Sequence, residues 1–414
     1  MSQLLTQIEG ILKDKYQPAI SNQINIEPSP FLEKIKKVPL TNNTIKCAAP
    51  FGINGGFGFG AEGLATPASG AQKYVNFTLD AVDMYVDIKI SNKTVELASS
   101  NVGAMINALD AEIKGSYASA KWNVGRALFG DGSGILARAI SAGASNNGKC
   151  GAYFTDTSKF VEGLIVDIHA YTDDGTGTYL DIPGNMGVRV FSVNHDTGYV
   201  VFEGPSISFV NYYTPDGEEF EYYAVVTVQN SMNRELCGLG AIFNDDITTL
   251  YGVNKKENPW INPIVCNCGG EINDMDLYSG VKKAKDYRGA DIDLIMMGDD
   301  AFRSYQEYMR ANNVVVTDKH RFVGGAVGYK VLAGNQEVIV VNERFVPKDE
   351  AWGVDTSAFM LQTTPWNFMS KDGGIFVAMT DTSVYRALLA SYGNLICTNP
   401  GGCVKFTGCT ADSQ

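Results

Sequence analysis

The stretch NVGAMINALDAEIKGSYASAKWNVGRALF, residues 101–129, decides the fold because its apolar residues recur at helical spacing. The residues with this spacing are Val102, Met105, Ile106, Leu109, Ile113, Tyr117, Ala120, Val124 and Leu128. Apolar side chains three and four positions apart share one face of an α-helix, so the pattern predicts one uninterrupted helix. At 1.5 Å per residue this helix is about 42 Å long, enough to cross a whole domain. The sequence GDGSG at 130–134 is expected to end it.

The residues before this helix predict strands. Apolar and polar side chains alternate in 83–91, which is typical of a strand with one apolar face. The apolar members are Met84, Val86, Ile88 and Ile90. Phe77 and Leu79 lie on a preceding strand, so the sequence predicts that 74–93 forms a two-stranded projecting hairpin.

Further towards the N-terminus the regular patterns stop. The glycine-rich residues 51–70, FGINGGFGFGAEGLATPASG, predict a flexible loop or hinge. Residues 1–50 open with a short amphipathic pattern, but prolines then prevent one continuous helix. We expect this segment to be an arm whose apolar residues pack against the body of the protein or against a neighbouring copy.

After the long helix, strands dominate and then alternate with helices. Residues 150–240 contain apolar runs such as LIVDIHAY and EYYAVVTVQ separated by turn sequences, which predicts a β-rich region. Residues 270–350 contain the apolar strand DIDLIMM (291–297), a helix over 299–311 and a second strand, EVIVV (337–341). The chain is therefore predicted to be of the α+β class.

The composition excludes several classes of protein. Hydrophobic residues make up 45% of the 414 residues, which argues against disorder. The net charge is −13, so the chain lacks the basic character that phosphate binding requires. From the sequence we expect neither secretion through a leader after Met1 nor a membrane-spanning segment. Charged residues make up only 19%, which favours a surface suited to polar contacts with other proteins.

No catalytic constellation is found in the sequence. The three histidines lie in separate segments: His169, His195 and His320. Walker A, G-x-S-x-G and H-E-x-x-H motifs are absent from the sequence. Gly58, Gly60 and Gly63 spell G-x-G-x-x-G, but the flanking sequences predict neither the strand nor the helix that a dinucleotide site needs. We therefore predict no catalytic residue and no cofactor.

The cysteines and acidic turns do not predict a metal site. The cysteines considered for zinc are Cys266, Cys268, Cys397, Cys403 and Cys409. Their spacing lacks the two C-x₂₋₄-C pairs of a structural zinc site, so free thiols are expected. The acidic turns at 173–175 and 244–246 lack the terminal glutamate of a calcium loop.

Several longer phrases resemble the sequences of tailed-phage major capsid proteins, and the order of predicted elements is similar to that of the Hong Kong 97 capsid fold. The phrases are LKDKYQPAISNQINIEPSPFLEKIKK (12–37), FGINGGFGFGAEG (51–63), DMYVDIKISNK (83–93), TTLYGVNKKENPWINP (248–263), DLIMMGDDAFRSYQEYM (293–309) and VYRALLASYGNLICTNPGG (384–402). The resemblance extends over nearly the full length, with 165–235 the least similar part.

The resemblance implies an α+β, Hong Kong 97-like capsid fold with an N-arm, an E-loop, a long spine helix, a β-rich peripheral domain and an α/β axial domain. The implied segments are 1–58 (N-terminal arm), 59–95 (E-loop), 96–150 (spine helix and start of the peripheral domain), 151–268 (β-rich peripheral region), 269–364 (axial domain) and 365–414 (peripheral-domain return and C-terminus). Residues 165–235 are either an inserted β subdomain or part of the peripheral sheet.

The function implied by the resemblance is that of a major capsid protein, not an enzyme. Such a chain assembles with itself through pentamers and hexamers into an icosahedral shell around double-stranded DNA. Portal, separate scaffold and decoration proteins are further expected partners, without a membrane. The expected location is the virion capsid, assembled in the cytoplasm of the bacterial host. Because the arm begins near Met1, we expect a separate scaffold protein, or none, instead of a cleaved scaffolding domain.

Some members of the family join an E-loop lysine covalently to an asparagine of a neighbouring subunit. The candidates here are Lys89 or Lys93 with Asn394 or Asn399, although we expect no cross-link.

Two other functions remain as alternatives. An encapsulin-like nanocompartment shell shares the fold but encloses enzymes. A β-rich phage adhesin is suggested by the tyrosine- and glycine-rich segments at 198–228. Cargo distinguishes the first alternative and particle mass distinguishes the second.

Overall fold

The structure is a computed structural model that describes residues 29–52, 56–60, 70, 73–91, 102–146, 148–172, 179–181, 185–204, 222–312, 319–369, 375–379 and 383–410. The chain divides into two compact units. The discontinuous unit contains residues 1–125 and 242–414, and the inserted unit contains residues 126–241.

The described helices and strands are numbered here in chain order. The α-helices are α1 (Pro30–Lys34), α2 (Val102–Leu128), α3 (Leu239–Phe243), α4 (Asp274–Arg288) and α5 (Asp299–Ala311). The 3-10 helices are η1 (Pro259–Ile261), η2 (Thr356–Ala358) and η3 (Pro400–Gly402). The strands are β1 (Lys36–Pro39), β2 (Thr44–Phe51), β3 (Lys73–Asp80), β4 (Val82–Ser91), β5 (Ile135–Asn146), β6 (Lys149–Phe154), β7 (Ile165–Thr172), β8 (Tyr179–Asp181), β9 (Val188–Asn194), β10 (Tyr199–Glu203), β11 (Tyr222–Val228), β12 (Thr249–Leu250), β13 (Val253–Asn254), β14 (Ile264–Gly270), β15 (Leu294–Met297), β16 (Lys319–Arg321), β17 (Val327–Ala333), β18 (Gln336–Asn342), β19 (Ala351–Val354), β20 (Phe359–Thr363), β21 (Asn367–Phe368), β22 (Val377–Ala378), β23 (Val384–Cys397) and β24 (Val404–Cys409).

Seven strands of the discontinuous unit form an α/β sheet in the order β14-β24-β19-β15-β18-β17-β16. The pairs β14–β24 and β15–β18 are parallel, and the other pairs are antiparallel. Helix α4 begins at a capping box between Asn273 and Asp276. It ends at Gly289, whose φ of 63° lies in the left-handed region that glycine adopts without strain.

The two strands and the helix predicted within residues 270–350 are confirmed. Helix α5 has the predicted bounds, and its Tyr305 and Met309 are buried in one core with Leu277 and Val281 of α4. The run DIDLIMM contains β15, whose four residues are all buried, and EVIVV lies within β18. Because β15 lies between other strands and under the helices, its sequence is apolar throughout and not alternating.

The second sheet of the discontinuous unit is arranged around β23. Its order is β1-β20-β23-β21, and β4 and β22 also pair with β23. Residues Ile113 and Ala120 of α2 belong to one core with Ile88 of β4 and Trp366. The predicted helix over 101–129 and the predicted strand at 83–91 are therefore confirmed. The side chains of α2 before Ile113, including predicted core residues Val102, Met105, Ile106 and Leu109, lie outside the described part of the chain.

The prediction that residues 74–93 form a hairpin is wrong. Strand β3 pairs antiparallel with β2, whereas β4 pairs antiparallel with β23. Only Ala81 separates β3 from β4, and a tight hairpin needs at least a two-residue turn. The chain therefore passes from one sheet into another at this point. An alternating sequence sets the two faces of a strand, but it does not specify the partner of that strand.

The inserted unit is built on strands β5 to β11, in the order β11-β5-β6-β10-β9-β7-β8. Because β11 also pairs with β7, six of these strands close into a ring, and β8 continues beside β7. The interior is apolar, with Leu136, Ala152, Phe154, Phe160, Val166, Ile168, Val188, Val190, Val200, Phe202 and Val226 in one core. This closed sheet begins before 165–235, the segment that the sequence set apart, because β5 and β6 are needed to complete the ring.

Candidate assembly surfaces

The three histidines have separate neighbours in the structure. His169 on β7 is buried, and its Nε2 lies 3.2 Å from the hydroxyl of Thr227. The Nδ1 of His195 lies 2.9 Å from the hydroxyl of Thr157. His320 on β16 packs edge-on against a phenylalanine ring two residues later, with 4.6 Å between the ring centroids. Each ring is thus positioned by packing or by a hydroxyl, as is typical of structural histidines.

The cysteines considered for zinc lie in the discontinuous unit. Cys266 and Cys268 are on β14 and Cys409 ends β24, while Cys397 ends β23 and Cys403 follows η3. Within the described residues, no group of three or more His, Cys, Asp or Glu side chains could hold a metal ion. None of the eight cysteines, all of which lie in the described part of the chain, is joined in a disulfide.

The G-x-G-x-x-G sequence lies between strands that pair with each other. Gly58 and Gly60 are exposed in irregular backbone, and Gly63 lies outside the described residues. The strands on either side, β2 and β3, are antiparallel partners, unlike the parallel strands of a dinucleotide-binding unit. The acidic turn at 173–175 is also outside the described residues, and the turn at 244–246 is an ordinary Asx turn. Among the described helices, none is long and apolar enough to cross a membrane.

The β2–β3 hairpin is anchored at its base by aromatic packing. Phe77 of β3 is fully buried, and its ring stacks at 6.0 Å on Trp260 and packs at 5.5 Å against Tyr251. The backbone N–H of Thr78 donates to the carbonyl of Tyr251 at 2.9 Å. These contacts fix the base of the hairpin to the segment around β12, β13 and η1.

The far end of the same hairpin carries exposed aromatic residues. Phe57 and Phe59 are 80% and 95% exposed, and their rings contact each other edge-on at 5.3 Å. Exposing two large apolar side chains side by side is unfavourable in water, so such a pair is typical of a contact surface for another molecule. The glycine-rich sequence of 51–70 predicted a loop at this place, but not that its aromatic residues would lie exposed together.

A second exposed aromatic surface lies on the outside of the closed sheet in the inserted unit. Tyr153 and Tyr199 are opposite each other on β6 and β10, with ring centroids 4.7 Å apart. The ring of Tyr199 lies so close to Gly151 that a side chain at that glycine would collide with it. On β9, Phe191 is about half-exposed, and the ammonium of Lys149 lies 3.2 Å from its ring centroid. Tyr199 belongs to the tyrosine-rich segment 198–228 that suggested an adhesin.

A buried carboxyl that sequence reasoning missed lies beside the start of the described chain. Glu343, just after β18, is only 6% exposed, and the hydroxyl of Ser29 donates to its Oε2 at 2.9 Å. Backbone N–H groups of Arg344 and Phe345 also donate to this carboxyl, but burial outweighs them and raises the pKa of Glu343 to about 7. Since Ser29 and Glu343 are 314 positions apart, no local pattern could have revealed the contact.

The residues considered for a covalent cross-link have different environments. Lys89 on β4 is exposed, and Lys93 lies outside the described residues. Asn394 is buried, and its side-chain amide donates to the backbone carbonyl of Asp80 at 2.9 Å. The side-chain amide of Asn399 donates to a backbone carbonyl at the end of α4 at 3.1 Å. Both asparagine amides are thus used in contacts within the chain.

Comparisons with known proteins give the fold of the chain. No family model matches it, and no curated protein matches it. A chain of the cyanophage A-1(L) capsid asymmetric unit is 9% identical, with 95% of this chain and 93% of that chain covered and a TM-score of 0.50. A chain of the holo-SrpI encapsulin complex from Synechococcus elongatus is 7% identical, with 93% of this chain and 89% of that chain covered and a TM-score of 0.44. A chain from Mycobacterium phage Adephagia is 9% identical, with 100% of this chain and 99% of that chain covered and a TM-score of 0.42. At these sequence identities the likeness establishes the fold alone, and only the cyanophage chain has a TM-score high enough for that conclusion. The chain has the mixed α+β fold of a phage capsid protein, as found in the cyanophage A-1(L) capsid.

Proposed function

We propose that this chain is the major capsid protein of a tailed phage and assembles through pentamers and hexamers into an icosahedral shell around double-stranded DNA. The observation that carries the proposal is the fold shared with the cyanophage A-1(L) capsid chain over 95% of this chain. A shell subunit acts by geometry, because heterologous contacts repeated around closed rotation axes generate the particle. The role is structural and not enzymatic, and the location is the virion capsid after assembly in the host cytoplasm.

The β2–β3 hairpin is the element that we propose to reach a neighbouring subunit in the manner of an E-loop. Its base is anchored by Phe77, and its far end exposes Phe57 and Phe59. A hairpin with an apolar end is stabilised when that end is buried against another copy of the chain. The resemblance implied an E-loop at residues 59–95. The proposed E-loop contains β2 and β3 instead, so it begins earlier in the chain and leaves out β4.

Further partners follow from the same proposal. A shell around DNA needs a portal, and scaffold and decoration proteins are additional candidates. The net charge of −13 fits a shell that encloses DNA without binding it tightly, because an acidic inner wall repels phosphate.

Expression of the full chain, followed by sizing and negative-stain microscopy, tests the proposed function. We expect capsomers or closed shells of megadalton mass, and nuclease-protected DNA in particles purified from infected cells. Shells that contain a co-purifying enzyme and no DNA would instead support the nanocompartment alternative. A monomer or trimer that forms no larger particle under any assembly condition would contradict a shell role and favour the adhesin.

The role of the exposed aromatic pair is tested separately with a double variant. F57S/F59S removes the apolar end of the hairpin and leaves its anchored base intact, so the chain is expected to fold but to assemble into far fewer shells. F57L/F59L keeps an apolar end and serves as the matched control, with shells expected at nearly the wild-type yield. Circular dichroism on the unassembled chains checks the fold. Equal shell yields for both variants would rule out this pair as an assembly contact.

A further inference from the structure

Two cysteines lie close together where β24, the last of the described strands, pairs with the edge strand β14 of the α/β sheet. Strand β24 lies parallel to β14, with Asn267 opposite Thr407 and Gly270 opposite Cys409. The register shifts between these two pairs, so Cys268 and Gly269 lie opposite a single residue of β24. Such an irregularity changes which face of the sheet the following side chains occupy.

The irregular register brings Cys268 and Cys409 to the same face of the sheet. Val404 and Phe406 of β24 point into the α/β core, so strict alternation would turn Cys409 away from it. Cys409 nevertheless is a fully buried member of that core, and Cys268 packs against the same core. The intervening residue, Gly408, has a φ of 67°, which breaks the alternation.

The two thiols differ in their access to solvent. Cys409 is fully buried, whereas Cys268 is only partly buried. A hydrogen bond between the two thiols, together with burial, raises the pKa of Cys268 well above its ordinary value. Because the thiolate is the reactive form, this pair is expected to react slowly at neutral pH.

We propose that Cys268 and Cys409 form an oxidisable dithiol that closes to an intramolecular disulfide and fastens the C-terminal strand β24 to β14. With oxidised glutathione, the Cys268 thiolate attacks one glutathione sulfur and releases one glutathione. Cys409 then loses its proton, and its thiolate attacks the Cys268 sulfur of the mixed disulfide and releases the second glutathione. The protein loses two electrons and two protons, and one glutathione disulfide is reduced to two thiols.

This dithiol gives the protein two forms that depend on the redox environment. In a reducing cytosol the thiols stay reduced, and β24 is held without a covalent bond, by its backbone pairing and by the packing of its side chains in the α/β core. In an oxidising environment the disulfide constrains the chain between residues 268 and 409, a long loop whose closure stabilises the fold against unfolding. The inference concerns the single chain and does not depend on the shell function.

A second pair of cysteines serves as an internal comparison. Cys397 and Cys403 are both buried. Burial raises the pKa of the Cys397 thiol, and a hydrogen bond that this thiol donates to Cys403 raises it further. Since neither thiol is accessible, glutathione cannot form the mixed disulfide that starts the exchange. We therefore expect this pair to stay reduced in the folded protein while Cys268 and Cys409 are oxidised.

Oxidation of the folded full chain tests the proposal. The protein is incubated with oxidised glutathione at mildly alkaline pH, the remaining thiols are alkylated after unfolding, and peptides are mapped by mass spectrometry. We expect the loss of two thiols per chain and a peptide pair joined through Cys268 and Cys409. No loss of thiols after prolonged oxidation, or a disulfide between Cys266 and Cys268, would overturn it.

Variants separate the disulfide from other effects of oxidation. The oxidised wild type is expected to unfold roughly 2–5 °C higher than the reduced protein. C268S changes a partly exposed residue, so it should fold, and its unfolding temperature should not respond to glutathione. C150S, in the inserted unit, is the matched control and should keep the full response. Should C268S respond as strongly as C150S, the stabilisation would not arise from this pair.

Discussion

At the scale of single residues, burial of the Glu343 carboxyl links the stability of the fold to pH. The carboxyl is buried beside Ser29, so its charged form is disfavoured in the folded chain and its pKa rises from 4.5 to about 7. In the unfolded chain the same group titrates at its ordinary value. As pH rises from 4.5 to 7, the unfolded chain releases a proton that the folded chain retains, so this group lowers stability increasingly over that window.

Glu343→Gln should remove this part of the pH dependence. We expect the wild type to lose up to about 3 kcal/mol of unfolding free energy from this group between about pH 5 and about pH 8, and the variant to lose correspondingly less. Urea unfolding at the two pH values gives the change in unfolding free energy for each protein. Subtracting the change for the variant from that for the wild type isolates Glu343, because the other titrating groups are the same in both. Parallel pH profiles for the two proteins would show that Glu343 titrates normally.

The ion pair between Arg126 and Glu235 is the second residue-scale feature that the structure adds. Their side chains are only 3% and 8% exposed. Lys159 lies nearby, and burial lowers its pKa, with a smaller contribution from the Arg126 charge. Removing Glu235 leaves buried positive charge without its partner.

Glu235→Ala is therefore expected to destabilise the protein by about 3–5 kcal/mol. The double variant R126M/E235L removes both charges and should be less destabilised than the single variant. Asp286→Ala breaks the exposed pair of Lys282 and Asp286 on α4 and, as a control, should leave stability nearly unchanged, because water screens an exposed ion pair. Denaturant unfolding of the full chain measures all three. If the Glu235→Ala variant were at least as stable as R126M/E235L, the buried charge left on Arg126 would not be the cause of the destabilisation.

The residues that sequence reasoning selected and those that the structure selects differ for a physical reason. Histidines and cysteines were selected because their chemistry is recognisable without a partner. Glu343, Arg126 and Glu235 look ordinary in the sequence, and their importance arises from burial against partners more than 100 positions away. The exposed aromatic residues of the β2–β3 hairpin were equally unremarkable, since exposure is a property of the fold.

At the scale of elements, periodicity predicted what lies within one element. Helix α2 and helix α5 were found with nearly the expected bounds, because apolar residues recur at helical spacing along each of these sequences. The strand at 83–91 was also found, but the partner predicted for it was wrong. Strand β4 pairs with β23, near the other end of the chain, and not with the preceding strand. Pairing between distant segments depends on the whole fold, so the pattern of one strand cannot determine it.

Two substitutions on α2 test the face of this helix that was predicted from the sequence. Ile113 is 2% exposed in a core with Trp366, so Ile113→Ala should destabilise by about 2–4 kcal/mol. Gly115 is exposed, with open space where a side chain would begin, so Gly115→Ala should stabilise the unassembled chain by up to about 1 kcal/mol. Thermal or urea unfolding measures both effects. If both substitutions lowered the unfolding free energy, or both raised it, the helix would bury a different face.

At the scale of the whole molecule, the sequence indicated the class of fold but not its division into units. Residues 165–235 were expected either as an inserted β subdomain or as part of the peripheral sheet. The structure contains a unit from 126 to 241 with its own closed sheet and apolar core. Ring closure depends on the pairing of β11 with both β5 and β7, a non-local feature that short apolar runs do not encode.

The assembled particle provides the last prediction, which concerns covalent cross-linking. Joining a lysine to Asn394 or Asn399 would expel the asparagine amide nitrogen. In Asn394 this nitrogen is buried and donates to the Asp80 carbonyl, and in Asn399 it donates to a carbonyl at the end of α4. A lysine from a neighbour would have to displace these contacts and, for Asn394, enter the core of the sheet around β23. We therefore expect subunits held together without such bonds.

Purified particles boiled with reductant should run as one band near 44.8 kDa. The same particles treated with glutaraldehyde before boiling should give a ladder of multimers, which confirms that intact assemblies entered the experiment. A ladder without glutaraldehyde would contradict the prediction, and peptide mapping would then identify the joined residues. If Asn394 were among them, the strand around it must open during assembly, since its amide is inaccessible in the folded chain.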